Sequence, residues 1–198
     1  MTTLIPLFPS TLYMDTIELD PIDLNNVEFI KNVGNLGSKD VNILEQEQFH
    51  KLHDSINKHL RNYFYKVLRA NHQTEIYITE SWLNKTVKGQ THHLHNHPNS
   101  IFSGVVFLEC DPKGRGELRF QPNKFNQIEY EVYEPNEWNG RGFFVNPEVG
   151  KIVIFPSDLL HMVDEYKSDT PRISLAFNTF VNNVVNKTRT ARLTLNGT

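Results

Sequence analysis

The stretch Thr91-His92-His93-Leu94-His95-Asn96-His97-Pro98-Asn99-Ser100 gathers four of the chain's nine histidines within six residues, just ahead of an apolar run over 101–108. On an extended backbone, side chains two apart share a side, so His95 and His97 project together as a chelating pair. Neutral imidazole is the commonest protein ligand for divalent transition metals, and a redox metal needs a third donor from elsewhere. His161 is the best candidate for it. It follows the apolar strand Ile152-Val153-Ile154-Phe155-Pro156 across the turn Ser157-Asp158-Leu159-Leu160. Eleven residues further on stands Arg172, with Ser174 two beyond it on the same strand face. A guanidinium presents a two-pronged fork to a carboxylate, and a neighbouring hydroxyl can bind the same group. An anion clamp close in sequence to a metal ligand is more informative than either half alone.

Each of these residues also has a plainer reading. A histidine cluster can be a surface loop with adventitious metal affinity, and Arg172 taken singly is an ordinary residue at the start of a strand. By alternation His93 shares a face with His95 and is a substitute ligand, whereas His92 should point away. His50, His53, His59 and His72 belong to a helix or its exit and are expected to face solvent. Trp82 and Asn84 either line a pocket or fill the core, and Asn178 lies in phase with Arg172 and Ser174. Trp138, Tyr130 and Tyr133 are candidates for a rim or lid, in a loop over 121–142 where substrate specificity would reside.

The elements that must position these side chains follow from periodicity. Phe49, Leu52, Ile56, Leu60, Tyr63, Phe64 and Val67 recur at three-and-four spacing within 41–68, opposite Glu45, Lys51, Asp54, Lys58 and Arg61, which predicts an amphipathic helix lying on a sheet. Past Asn71 the chain turns to short β-branched and aromatic runs separated by Gly, Pro and Asn. Strands are expected over 75–83, 90–95, 102–110, 116–121, 128–132, 143–145, 151–155, 162–166, 173–181 and 189–195. The proline-broken segment 4–12 reads as an edge strand or arm, and 20–35 carries no firm assignment. A mainly β chain with a flanking helix favours a jelly roll, with a site in its open mouth.

Composition narrows the class. The 198 residues fit one domain spanning 1–198, and 38% hydrophobic with 22% charged residues is the balance of a soluble globular protein. A net charge of -3 gives no electrostatic reason to expect nucleic acid or an anionic membrane as partner. No run approaches the roughly 20 apolar residues of a membrane span, and the N-terminus lacks the basic start and apolar stretch of a signal peptide. Cys110 is alone, so no internal disulfide forms, and a reducing, cytoplasmic setting is expected.

The segments His95-Asn96-His97-Pro98-Asn99-Ser100, Ser103-Gly104-Val105-Val106-Phe107-Leu108, Gly116-Glu117-Leu118-Arg119-Phe120, Phe155-Pro156 through His161, and Arg172-Ile173-Ser174 together resemble the Fe(II)/2-oxoglutarate-dependent dioxygenases, most of all a branch of small bacterial and phage members. The resemblance covers 75–180. It implies a double-stranded β-helix, the jelly-roll type, with iron held by a His-X-Asp or His-X-Glu pair and a distal His. It also implies an Arg followed two residues later by Ser or Thr gripping the far carboxylate of 2-oxoglutarate. Carried across, His95 and His161 are the implied iron ligands, and Arg172 with Ser174 the cosubstrate clamp.

The second ligand departs from that pattern, because the position two after His95 is His97 rather than a carboxylate. Either His97 binds, or the iron keeps an extra water and two protein ligands, or Asn99 or a carboxylate such as Asp158 enters the shell; His97 is the preferred choice. Three donors leave three positions, two for 2-oxoglutarate and one for O2. The implied function is oxygenation, expected as hydroxylation of a protein side chain or small metabolite with release of succinate and CO2. Two alternatives stand beside it: a non-catalytic jelly-roll binding or structural module with a structural metal or none, and a three-histidine, cupin-like dioxygenase that uses no 2-oxo acid.

Overall fold

The computed structural model describes residues 2–7, 9–122, 131–134, 136, 138–187, 191 and 193–195. The strands are β1 (Tyr13–Thr16), β2 (Phe29–Lys31), β3 (Leu36–Ser38), β4 (Thr74–Thr86), β5 (His92–His95), β6 (Phe102–Glu109), β7 (Leu118–Gln121), β8 (Phe143–Val145), β9 (Lys151–Pro156), β10 (Leu160–Val163), β11 (Arg172–Asn186) and β12 (Leu193–Leu195), with one α-helix, α1 (His50–Arg61), before β4. They form two antiparallel sheets. The larger runs β1-β9-β6-β11-β4-β3-β2, with β12 added to β11, and the smaller runs β5-β10-β7-β8. This is the double-stranded β-helix expected from the sequence.

The apolar runs are continuous rather than alternating because the large sheet is covered on both sides. Along β9, Ile152 and Ile154 point to the helix side while Val153 and Phe155 point to the smaller sheet. On β6, Val106 and Leu108 likewise oppose Val105 and Phe107. Strand β11 puts Ile173, Leu175 and Phe177 into the helix-side core, which by the same alternation turns Arg172, Ser174, Ala176 and Asn178 toward the smaller sheet. Four consecutive inward positions of one rigid central strand are therefore available for chemistry.

Helix α1 buries Leu52, Ile56 and Leu60 against this sheet, while Lys51, Asp54, Lys58 and Arg61 face out. It is shorter than the 41–68 span predicted: tight turns precede it, and a wider turn over Asn62–Val67 follows, in which the Leu68 N–H donates to the Tyr63 carbonyl five residues back at 3.0 Å. The wider turn adds a residue per revolution, so Tyr63 and Phe64 stay buried but Val67 is carried off the stripe and is 49% exposed. His59 is also a correction, since its ring lies under β1, with Nδ1 2.9 Å from the Tyr13 hydroxyl.

Other differences are of extent. Segment 4–12 forms no strand among its described residues, and one edge of the large sheet is β1 immediately after it; β2 lies in the unassigned region 20–35 and β3 directly after it. Strand β4 runs three residues past its predicted end, through Asn84, Lys85 and Thr86, because β11 pairs with it to Arg172↔Thr86. Strand β10 begins at Leu160, earlier than expected, since it pairs with β7 from Leu160↔Gln121 onward. Residues 128–130 of one expected strand and 189, 190 and 192 of another lie outside the described residues.

Candidate metal centre and anion clamp

Strands β5 and β10 are direct neighbours, paired at His161↔His95, so histidines 66 positions apart in sequence face the same point. His97 follows β5 in the loop before β6, where its N–H donates to the Ser157 carbonyl at 2.9 Å and pins the loop to the turn that leads into β10. The ring centroids of His95 and His161 are 4.3 Å apart, those of His97 and His161 5.0 Å. One nitrogen from each of the three lies within 4.8 Å of the others.

The hydrogen bonds fix which nitrogen that is. His161 Nδ1 sits 2.9 Å from the Leu159 carbonyl, His95 Nδ1 2.7 Å from the His93 carbonyl, and His97 Nδ1 2.5 Å from Asn178 Oδ1. These carbonyl and amide oxygens only accept, so each Nδ1 carries the proton and each Nε2 keeps its lone pair; Ser103 Oγ, 3.1 Å from His97 Nδ1, can accept from it as well. His95 Nε2 and His97 Nε2 are 3.3 Å apart with no proton between them. Two such lone pairs repel unless a cation stands between, and two imidazole nitrogens at right angles about 2.1 Å from a divalent ion lie about 3 Å apart. Burial pushes the protonation of His161 down to about 3 and lowers that of His95 and His97, so all three are held in the neutral form a metal requires.

A cavity joins these rings to Arg172 and Ser174; Trp82, Asn84 and His92 line it too. Arg172 is 2% exposed, and among the described residues it has no carboxylate partner. One guanidinium nitrogen donates to Ser174 Oγ at 3.3 Å, the Phe107 ring lies 4.9 Å away, and the buried Nε has no acceptor. Burial pushes this guanidinium down to about 10, which leaves it charged at neutral pH. A buried cation without its counter-ion is costly, so the arrangement fits an anionic ligand. Free space at the centre of the cavity is about 30 Å3, roughly one water's share of liquid volume.

The placements differ from expectation at several residues. His92 was to point away but lines the cavity, its ring stacked 4.5 Å from His95. The cause is a bulge: β10 advances two residues from His161 to Val163 while β5 advances three, from His95 to His92, which resets the alternation. His93 is exposed and groups with His92 and His95 rather than with His161. Asp158 and Asn99 are exposed, and no carboxylate enters the imidazole group among the described residues. Tyr133 and Trp138 are exposed and do not line the cavity, and Tyr130 lies outside the described residues. Sequence reasoning passed over Glu80 and Ser103, both of which bond to Asn178. Glu80 shares the parity of Trp82 and Asn84 on β4, a signal that was available.

Residues 80–178, half of the chain, match the family model described as "Putative 2OG-Fe(II) oxygenase". The chain belongs to the 2OG-Fe(II) oxygenase family. It is therefore an Fe(II)- and 2-oxoglutarate-dependent oxygenase with O2 as oxidant, and the reading as a non-catalytic module is set aside. No curated protein matches the chain. Solved structures with this fold include a 2OG-Fe(II) oxygenase family oxidoreductase from Burkholderia pseudomallei, with a TM-score of 0.54 and 14% identity over 78% of this chain and 72% of that one. A Pseudomonas putida prolyl-4-hydroxylase gives 0.50 and 15% over 77% of each chain. The non-heme alpha ketoglutarate dependent epimerase SnoN from nogalamycin biosynthesis gives 0.56 and 10% over 79% of this chain and 66% of that one. At such identities the likeness speaks for the fold alone. Among the described residues, no helix is long and apolar enough to cross a membrane.

Proposed function

We propose that His95, His97 and His161 hold the Fe(II) of this oxygenase, that Arg172 and Ser174 bind the far carboxylate of 2-oxoglutarate, and that the chain hydroxylates a protein side chain or small molecule. The observation that carries the reading is the buried Arg172, hydrogen-bonded to Ser174 and without a carboxylate partner among the described residues, facing the same cavity as three imidazoles with converging lone pairs. When bound, Fe(II) and 2-oxoglutarate supply the oxidation: one oxygen atom of O2 enters succinate as CO2 leaves, and the other enters a substrate C–H bond as a hydroxyl.

The protein's own residues supply position and environment. His95, His97 and His161 would hold the iron through their Nε2 lone pairs, and three protein donors would leave room on it for 2-oxoglutarate and O2. Arg172 neutralises the carboxylate that would otherwise be stranded in an apolar interior, and Ser174 holds the guanidinium in register. Val105, Phe107, Leu118, Phe120, Phe155 and Val163 form the apolar packing between the sheets and keep water from the reacting groups. Hydroxylation is the outcome proposed; solved structures of this fold include both a prolyl-4-hydroxylase and an epimerase.

Purified protein supplied with Fe(II), ascorbate and 2-oxoglutarate should form succinate slowly without any second substrate. Arg172→Ala should weaken 2-oxoglutarate binding at least about thirtyfold, the cost of leaving one half of a buried charge pair unmatched, while iron stays bound. His161→Ala should lose the metal. Wild-type cosubstrate affinity in Arg172→Ala, or full metal affinity in His161→Ala, overturns the assignment of that residue.

A further inference from the structure

A carboxylate ligand does two things for an iron site: it donates, and it brings a negative charge. Three neutral imidazoles only donate, and the described residues lining this cavity include the cation Arg172 and no carboxylate. The nearest anion tied to the trio by hydrogen bonds is Glu80. Its Oε1 accepts from Asn178 Nδ2 at 2.6 Å, and Asn178 Oδ1 accepts from His97 Nδ1 at 2.5 Å. Glu80 and Asn178 are directly paired residues of β4 and β11, so their side chains share a face; Asn178 pairs on its other side with Ser103 of β6. Ser103 Oγ donates to the same amide oxygen at 2.7 Å.

This chain of bonds reads in only one direction. A carboxylate accepts and cannot donate, so the Asn178 NH2 group must face Glu80 and its oxygen must face His97. His97 must then be protonated at Nδ1, and Nε2 is left for the metal. Asn178 is 5% exposed and Ser103 0%, so neither is free to reorient. The strand pairing carries a bulge directly after Asn178↔Glu80, where β4 takes one residue more than β11 to reach Thr179↔Ile78. Up to that point the two strands keep a common inward face, and Glu80 is its last member on β4.

We propose that Glu80, acting through Asn178, is a positioning residue that fixes His97 as a metal donor and supplies, two hydrogen bonds from the ion, the negative charge that a ligand carboxylate would bring. The proposal rests on His97 being a ligand. Outer-shell partners of metal-bound imidazoles typically alter metal affinity by 10- to 100-fold when removed, and loss of a nearby negative charge favours Fe(II) over Fe(III).

The test measures the affinity of the full chain for Fe(II) alone, anaerobically and against a chromophoric chelator, together with the Fe(III)/Fe(II) midpoint potential. Glu80→Gln keeps the size and an acceptor oxygen but removes the charge; it should bind Fe(II) about tenfold more weakly or worse, with a raised potential. Adding Asn178→Asp to it moves the charge one link closer to His97, with the new amide at 80 able to donate to the new carboxylate at 178, and should return both quantities toward the wild-type values. Unchanged affinity and potential in Glu80→Gln overturn the proposal, as does failure of the double variant to recover. Should Glu80→Gln not fold, the double variant decides alone: near-wild-type affinity supports the proposal and its loss overturns it. His97→Ala separates the two levels, because wild-type Fe(II) affinity there defeats the ligand assignment itself. Loss of affinity in His97→Ala beside an unaffected Glu80→Gln defeats only the role of Glu80.

Discussion

At the scale of single residues, the clamp has unequal halves. Arg172 carries the charge, whereas Ser174 is uncharged and accepts one hydrogen bond from the guanidinium at 3.3 Å. A hydrogen bond to a charged group is worth roughly 1.5–3 kcal/mol, and at 3.3 Å this one lies at the weak end, so Ser174→Ala should weaken 2-oxoglutarate binding about tenfold, as read by calorimetry, with Fe(II) binding unaffected. Arg172→Lys should fall much closer to Arg172→Ala than its charge suggests, because an ammonium cannot reproduce the planar fork. Among the histidines, His93→Ala should retain Fe(II), since His93 is exposed and lends the site its backbone carbonyl, whereas His95→Ala should lose the ion. A chelator-competition titration distinguishes the two, and loss of iron in His93→Ala would move that residue into the shell. These side chains were readable in advance where one strand's alternation sufficed, as for Arg172 with Ser174; His97 lies in the loop past β5 and is held by the bond from its N–H to the Ser157 carbonyl. His92 was not readable, because its direction depends on a bulge created by pairing with β10. The two-bond path from Glu80 to His97 likewise exists only once three strands lie side by side.

At the scale of elements, the site is built on strands held from behind by α1. Gly104 on β6 lies under the Phe177 ring, and a Cβ built there collides with it. Gly104→Ala should therefore destabilise the fold by about 1–3 kcal/mol, the usual cost of overpacking, measurable as a lower denaturation midpoint in urea. Ile56 is fully buried at the helix–sheet contact, and Ile56→Ala should cost about 2–5 kcal/mol. Because Ile56 does not line the cavity, the Fe(II) affinity of the remaining folded protein should be preserved. The strands and the helix stripe were legible because β-branched runs and three-and-four spacing report burial directly. Their ends were not: β4 owes its last three residues to its partner β11, and the stripe fails at Val67 because a wider turn is invisible to a fixed period.

At the scale of the whole molecule, ligand binding and folding are coupled. The interior holds three imidazole lone pairs and a buried guanidinium with no carboxylate partner among the described residues, and the proposed iron and cosubstrate would satisfy both. A ligand present at 100 times its dissociation constant stabilises the folded state by about 2.7 kcal/mol, so anaerobic Fe(II) should raise the melting temperature by several degrees. 2-Oxoglutarate should add to that rise in the wild type but not in Arg172→Ala. An equal rise in that variant would place the cosubstrate elsewhere. Net charge, the lone cysteine and the absence of a long apolar run bounded the class from sequence; the close meeting of two sheets around a small cavity did not follow from composition.

Strand β11 is paired along its inner length with both β4 and β6, and it turns one face, with Arg172 and Ser174, to the cavity and the other to the helix-side core. Its amides should be among the slowest in the protein to trade hydrogen for deuterium. Binding of a small diacid at Arg172 should lengthen those lifetimes further and extend the protection to the far ends of its two neighbours, giving a record of occupancy that needs no turnover and no knowledge of what the enzyme oxidises.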